Sequence, residues 1–93
     1  MASHAHSRAL AELQASCTLG HSTFPVTVSH LSCDGCRIEA EGGWPEECDF
    51  LHLALGDGVE INGCAARRQG TSLDIRFFGQ IHPVVVSKFA QAA

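Results

Sequence analysis

Basic residues and long apolar runs are both scarce in this sequence. Six Lys and Arg residues stand against ten Asp and Glu residues, for a formal net charge of −4. This balance argues against a general nucleic-acid binder, because a phosphate backbone needs a basic protein face. The longest apolar runs are too short to span a membrane, and the histidines and Glu12 near the N-terminus interrupt the hydrophobic stretch that a signal peptide needs. We therefore expect a cytoplasmic protein that binds neither DNA nor RNA and does not insert into a membrane.

The sequence also lacks the second pair of ligands that a zinc site needs. Cys33 and Cys36 form a C-x-x-C, but Cys48 and Cys64 are single, whereas a structural zinc ion needs four ligands. A redox dithiol usually lies at a helix N-terminus in a βαβ setting, which this chain lacks. In the cytoplasm, five cysteines are expected as reduced thiols rather than a disulfide framework. We favour structural thiols and no cofactor, and a metal or redox role for Cys33 and Cys36 remains the alternative.

No local pattern of Ser, His, Asp or Cys has the signature of an activated nucleophile, so we do not expect an enzyme. His52 lies in an apolar stretch and is expected to be a satisfied core or edge histidine, and His82, before Pro83, a surface turn residue. Trp44 follows two glycines and is expected to close one end of the fold, with a partner contact as the alternative. The remaining arginines of the C-terminal half are expected to face solvent: Arg67, Arg68 and Arg76.

The length of 93 residues and the 45% apolar content predict one small domain with a real core. Residues 8–15 could begin a helix, but the chain then becomes strand-like. Alternating apolar residues and Gly-rich turns predict strands of a small antiparallel barrel or sandwich, with Gly63 a candidate bulge. Residues 50–55 alternate poorly, and Pro83 suits the first turn of a C-terminal helix. The predicted strands lie within residues 16–19, 24–28, 36–40, 50–55, 59–68 and 73–78.

Three segments together resemble a PilZ domain: FPVTVSHLSCDGCRIEA at 24–40, WPEECDFLHLAL at 44–55 and EINGCAARRQGTSLDIRF at 60–77. The family pattern is a strand, a (D/N)-x-S-x-x-G turn, further strands and a G-x-R-F-like ending. The resemblance covers residues 4–90. It implies an all-β fold, a small antiparallel six-stranded split barrel with a short C-terminal helix, preceded by a flexible arm at 1–9. In many members it also implies binding of cyclic diguanylate.

The family's ligand site has two parts, the (D/N)-x-S-x-x-G turn and an R-x-x-x-R pair on the N-terminal arm. Carried over by position, Ser32 and Gly35 match the turn, and Arg8 matches the second arginine. His30 stands where the family has Asp or Asn, and His4 stands where it has the first arginine. A guanidinium pairs a phosphate bidentately and stacks on a purine, while the acid or amide recognises the guanine edge and the serine hydroxyl adds a hydrogen bond. The glycine lets the turn close against the ligand.

The two departures predict weakened binding. A neutral histidine offers one acceptor where an aspartate offers two, and losing a bidentate base contact costs about 1–3 kcal/mol. A histidine at position 4 in place of the arginine removes a charge-assisted hydrogen bond, and this loss costs a similar free energy. The resemblance therefore implies a cyclic-diguanylate receptor or adaptor in bacterial signalling, with an unknown protein partner. The alternative is a diverged domain that binds no nucleotide and acts as a protein-interaction module.

Overall fold

A computed structural model describes residues 12–45, 49–56 and 58–92 of the chain. It contains six strands followed by one helix. Their bounds are β1 Leu13–Leu19, β2 Ser22–Ser29, β3 Gly35–Glu39, β4 Phe50–Gly56, β5 Val59–Gln69, β6 Ser72–Phe77 and α1 Pro83–Ala92. No helix in these described ranges is both long enough and apolar enough to cross a membrane.

The strands form a closed antiparallel barrel in the order β1-β2-β3-β6-β5-β4, with β4 pairing back to β1. Consecutive strands β1–β2, β2–β3, β4–β5 and β5–β6 pair directly, and the pairing of β3 with β6 completes the wall. This architecture confirms the expected all-β, six-stranded antiparallel barrel with a short C-terminal helix.

The core lies inside the barrel and follows the alternation of each strand. Val26 and Val28 of β2 are buried, while Ile38 of β3 and Leu73 of β6 are at most 1% exposed. Strand β4 buries Leu51, Leu53 and Leu55 in a regular alternation, so the expectation of a poor pattern there was wrong. The apolar Ala54 next to these leucines masks the alternation in the sequence. The full buried set is Cys17, Val26, Val28, Cys36, Ile38, Ala40, Leu51, Leu53, Leu55, Leu73, Ile75, Phe77, Ile81 and Phe89.

Two local expectations from the sequence are corrected. Residues 13–15 belong to strand β1 and not to a helix, because pairing with β2 and the packing of the partly buried Leu13 and Ala15 against the core override helix propensity. Gly63 keeps a regular register, and the shifts occur at Leu55 in β4 and Ala66 in β5 instead. Gly63 is required for another reason. A Cβ there would lie 2.8 Å from the Arg76 carbonyl oxygen, so β5 and β6 approach too closely for a side chain.

The barrel has two ends with different contents. The end at which β1 begins, here called the entry end, also carries the β2–β3 connection (residues 30–34), the β4–β5 turn and the β6–α1 connection (residues 78–82). The far end carries the β1–β2 and β5–β6 turns and Trp44, whose indole Nε1–H donates to the Thr71 carbonyl oxygen at 2.9 Å. Trp44 packs against the core and beside Phe24, which agrees with the expected closing role.

Helix α1 begins at Pro83 and is attached to the barrel by the buried side chains of Ile81 and Phe89. His82 is exposed and caps the helix. Its carbonyl oxygen accepts the Val85 and Val86 N–H groups, and its Nδ1 accepts the Val84 N–H at 3.1 Å. The predicted surface position of His82 is confirmed, and the capping bonds explain why the helix starts there.

Candidate functional site

Ser32 organises the β2–β3 connection at the entry end. Its N–H donates to the Gly35 carbonyl oxygen at 2.8 Å. Its hydroxyl oxygen accepts the N–H groups of Asp34 and Gly35, both at 3.2 Å, and the hydroxyl donates to the Gly35 carbonyl oxygen at 3.1 Å. A hydroxyl has one donor and two acceptor lone pairs, so these contacts use all three. Ser32 therefore fixes the shape of the turn.

His30 adopts a left-handed backbone conformation, with φ of 52°, and it is the one residue other than glycine with positive φ in the described chain. Its side chain is exposed. Asn, Asp and His are the side chains most often found in this conformation. The backbone at this position therefore suits the Asp or Asn of the family pattern as well as the histidine present here.

Gly35 is the first residue of β3 and pairs with Arg76 of β6. A Cβ at this position would lie 2.2 Å from the Ile75 carbonyl oxygen, far inside van der Waals contact. Gly35 is therefore required by the close approach of β3 to β6, independently of any ligand.

Three hydrogen bonds attach the turn to the end of β6 and to the β6–α1 connection. The Phe77 N–H donates to the Asp34 carbonyl oxygen at 2.8 Å, and the Ile81 N–H donates to the Cys33 carbonyl oxygen at 2.9 Å. The Gln80 side-chain amide donates to Asp34 Oδ1 at 2.6 Å. The turn is thus held on one side by β6 and on the other by the segment that leads into α1.

The other two site residues from the sequence, His4 and Arg8, lie outside the described residues. Their attachment point is described: Leu13 pairs with Val28, two residues before His30. Arg8 is five residues before Leu13, and a chain of that length spans at most roughly 17 Å. The described chain therefore enters the barrel beside the turn. This point is only five positions after Arg8 in the sequence.

Cys33 and Cys36 are free thiols in different surroundings. Cys36 points into the core, where burial, helped by nearby Cys17 and Asp74, raises its pKa to about 12. A thiol so rarely ionised is a poor nucleophile and metal ligand. Cys33 is partly exposed in the turn. Within the described residues, no group of three or more His, Cys, Asp or Glu side chains is placed to hold a metal ion.

A hydrogen-bonded cluster on the outer face of β4 and β5 is not apparent from the sequence. His52 Nδ1 is 2.7 Å from Asn62 Oδ1, and its Nε2 is 2.9 Å from Glu60 Oε1. Both acceptors are satisfied at once only by the charged imidazolium. The hydrogen bond to Asn62 is the main cause that raises the pKa of His52. Burial acts in the opposite direction, and the hydrogen bond and charge of Glu60 raise the pKa further. His52 is the satisfied edge histidine that was expected. Its partners Asn62 and Glu60 are ten and eight residues away in the sequence, and the pairing of β4 with β5 brings them to it.

An aromatic pair lies beside this cluster and was also missed. Phe50 is 70% exposed and Phe78 is 55% exposed, and their ring centroids are 5.8 Å apart. Together with Thr18 and His52 they line a shallow groove of about 400 Å³. The sequence signal was present, since Phe50 falls on the solvent side of the β4 alternation and Phe78 follows the last residue of β6.

Comparison of the chain with protein-family models, with curated proteins and with solved structures found no match. The fold and the arrangement of side chains are therefore the observations that bear on function. Of these, the turn at the entry end and the aromatic groove on the outer face are the two surfaces with a distinct chemistry.

Proposed function

We propose that this chain is a PilZ-like domain that binds cyclic diguanylate at the entry end of its barrel. The observation that carries the proposal is the position of the S-x-x-G turn beside the point where the chain arrives from Arg8. Residue 13, which follows the segment of His4 and Arg8 in the sequence, pairs with Val28 next to this turn, and this pairing supports the proposal. The left-handed backbone of His30 supports the same proposal, because the Asp or Asn of the pattern favours that conformation.

In this proposal each part of the site has its own task. Arg8 pairs with a phosphate and stacks on a guanine, and His4 adds a weaker contact to a phosphate. His30 borders one base. Ser32 and Gly35 fix the shape of the turn against which the base packs. The Ser32 hydroxyl does not bind the ligand directly, because all its hydrogen bonds are made within the turn.

The departures at His4 and His30 make the proposed binding weak. Together they reduce the affinity by on the order of one to four decades, because each lost contact costs about 1–3 kcal/mol and 1.4 kcal/mol is tenfold. We therefore expect weak binding, and the titrations must extend to millimolar ligand.

Isothermal titration calorimetry with cyclic diguanylate tests the proposal. The wild type should bind, and Arg8→Ala should weaken binding at least about tenfold, because a charge-assisted phosphate contact is lost. Binding should be tighter at pH 6 than at pH 7.5, since a charged histidine on the arm pairs with phosphate. Arg67→Ala is the matched control, because Arg67 is an exposed arginine of β5 near the far end. No heat at millimolar ligand, or equal losses in both variants, would contradict the proposal.

The second candidate function is a protein-interaction module that needs no nucleotide. The exposed pair Phe50 and Phe78 favours it, because aromatic residues are enriched at the centres of protein interfaces. Recovery of the same partner with and without cyclic diguanylate, and its loss in Phe50→Ser, would support this function over the first.

A further inference from the structure

We propose that Asp34, and not His30, supplies the carboxylate that recognises the guanine edge; the inference rests on the proposed function and assigns its base specificity. Guanine presents two neighbouring donors on its Watson–Crick edge, N1–H and the 2-amino group. A carboxylate accepts both at once, whereas a neutral imidazole accepts one. Asp34 lies four residues after His30 in the same connection and is exposed at the entry end.

The backbone of Asp34 is fixed from both sides. Its N–H donates to the Ser32 hydroxyl at 3.2 Å, and its carbonyl oxygen accepts the Phe77 N–H at 2.8 Å. The residue is therefore held against the start of β3 and the end of β6, and its side chain projects from a defined point of the turn.

The side chain of Asp34 is also oriented before any ligand arrives. Gln80 donates its amide N–H to Asp34 Oδ1 at 2.6 Å. An ionised carboxylate has about four acceptor positions on its two oxygens, so one bond to Gln80 leaves room for two donors from a base. A carboxylate already held in one rotamer loses less conformational entropy when it binds.

The position also explains how the site tolerates a histidine in place of the family's acid. In the family pattern the two acceptor oxygens belong to the first residue, which is His30 here. In this chain they belong to the fifth residue, Asp34, which lies in the same connection held by Ser32 and Gly35. The negative charge of Asp34 repels the two phosphates of the ligand, so its carboxylate faces a base and not a phosphate.

The test is a titration of cyclic diguanylate and cyclic diadenylate into wild type, Asp34→Ala and Asp34→Asn. The wild type should prefer guanine, and Asp34→Ala should lose roughly 5- to 150-fold in affinity for the guanine ligand, as for loss of one bidentate base contact. Asp34→Asn should shift the preference toward adenine, because an amide offers one acceptor and one donor, which match the adenine 6-amino group and N1.

Gln80→Ala is the matched control, since it breaks the same side-chain bond but leaves the carboxylate in place. It should keep the guanine preference. An unchanged preference in Asp34→Asn, or a loss in Gln80→Ala as large as in Asp34→Ala, would overturn the inference and leave Asp34 as a structural link between the turn and α1. The preference is the ratio of the affinities of one variant for the two dinucleotides. Partial unfolding lowers both affinities by the same factor, so it cannot change this ratio. A wild type that binds neither dinucleotide would overturn the proposed function itself.

Discussion

Gly35 shows how a single residue can belong to a binding pattern for a reason that concerns only the barrel. In the sequence it is the glycine of the S-x-x-G turn. In the structure its missing side chain allows β3 to approach the Ile75 carbonyl oxygen of β6. Ser32 is similar, because its hydroxyl bonds are made inside the turn. A glycine and a serine at this spacing are therefore evidence for a turn and a strand contact, and the ligand must be argued from other residues.

Gly35→Ala should destabilise the fold by about 1–3 kcal/mol, since the new methyl group forces the backbones of β3 and β6 apart. Urea unfolding of the variant and the wild type measures the change. Gly42→Ala is the control, because a Cβ at Gly42 meets nothing within 4 Å, and it should change the free energy of unfolding by less than about 0.5 kcal/mol. Equal stability of both variants would show that β3 and β6 can separate without cost.

At the scale of elements, β4 and β5 are joined on their outer face by side chains as well as by the backbone. His52 faces Asn62 in register, and Glu60 lies two pairs further along the ladder, on the same face. The cluster is half-exposed, with the side chains of His52 and Glu60 37% and 60% accessible. Solvent therefore screens the ion pair strongly, and its contribution is at most about 1 kcal/mol.

The His52 cluster predicts a pH-dependent stability. Because the pKa of His52 is raised in the folded state, its contribution is complete below the unfolded pKa of about 6.5 and is lost as the pH rises through the higher folded pKa. The stability difference between wild type and His52→Gln should be largest near pH 5.5 and shrink toward pH 9. Urea unfolding across this range measures it, with Glu60→Gln as a control that should reduce the pH dependence in part, because the Asn62 hydrogen bond remains. A difference that grows with pH would contradict the assignment.

The strands with clear alternation could be predicted from the sequence, and those with a local exception could not. Leu73, Ile75 and Phe77 are buried as their spacing indicates. The start of strand β1 could not be predicted, because its residues are good helix formers. Its strand conformation depends on pairing with β2 and β4, and the residues around β1 in the sequence do not reveal this pairing. The β5 bulge lies at Ala66 and not at Gly63, and its position depends on the register with β6. This register cannot be read from the sequence of β5 alone.

At the scale of the molecule, the barrel separates two surfaces. The entry end joins the β2–β3 turn to the β6–α1 connection through Asp34, Gln80 and Ile81, and the outer face of β4 and β5 carries the aromatic groove. The sequence pointed to the turn through the spacing of Ser32 and Gly35. It could not show the bond from Gln80 to Asp34, because the two residues are 46 positions apart and meet through the pairing of β3 with β6.

The measurement that tests the central proposal most directly is a map of backbone amide chemical shifts during titration of the full chain with cyclic diguanylate. The proposed site predicts shifts concentrated in residues 29–35 and 77–82, which the entry end brings together. The far end, including the β5–β6 turn and the Trp44 indole N–H, should not move. No shift at millimolar ligand, or shifts centred on the groove residues Thr18, Phe50 and His52, would contradict a nucleotide site at the entry end.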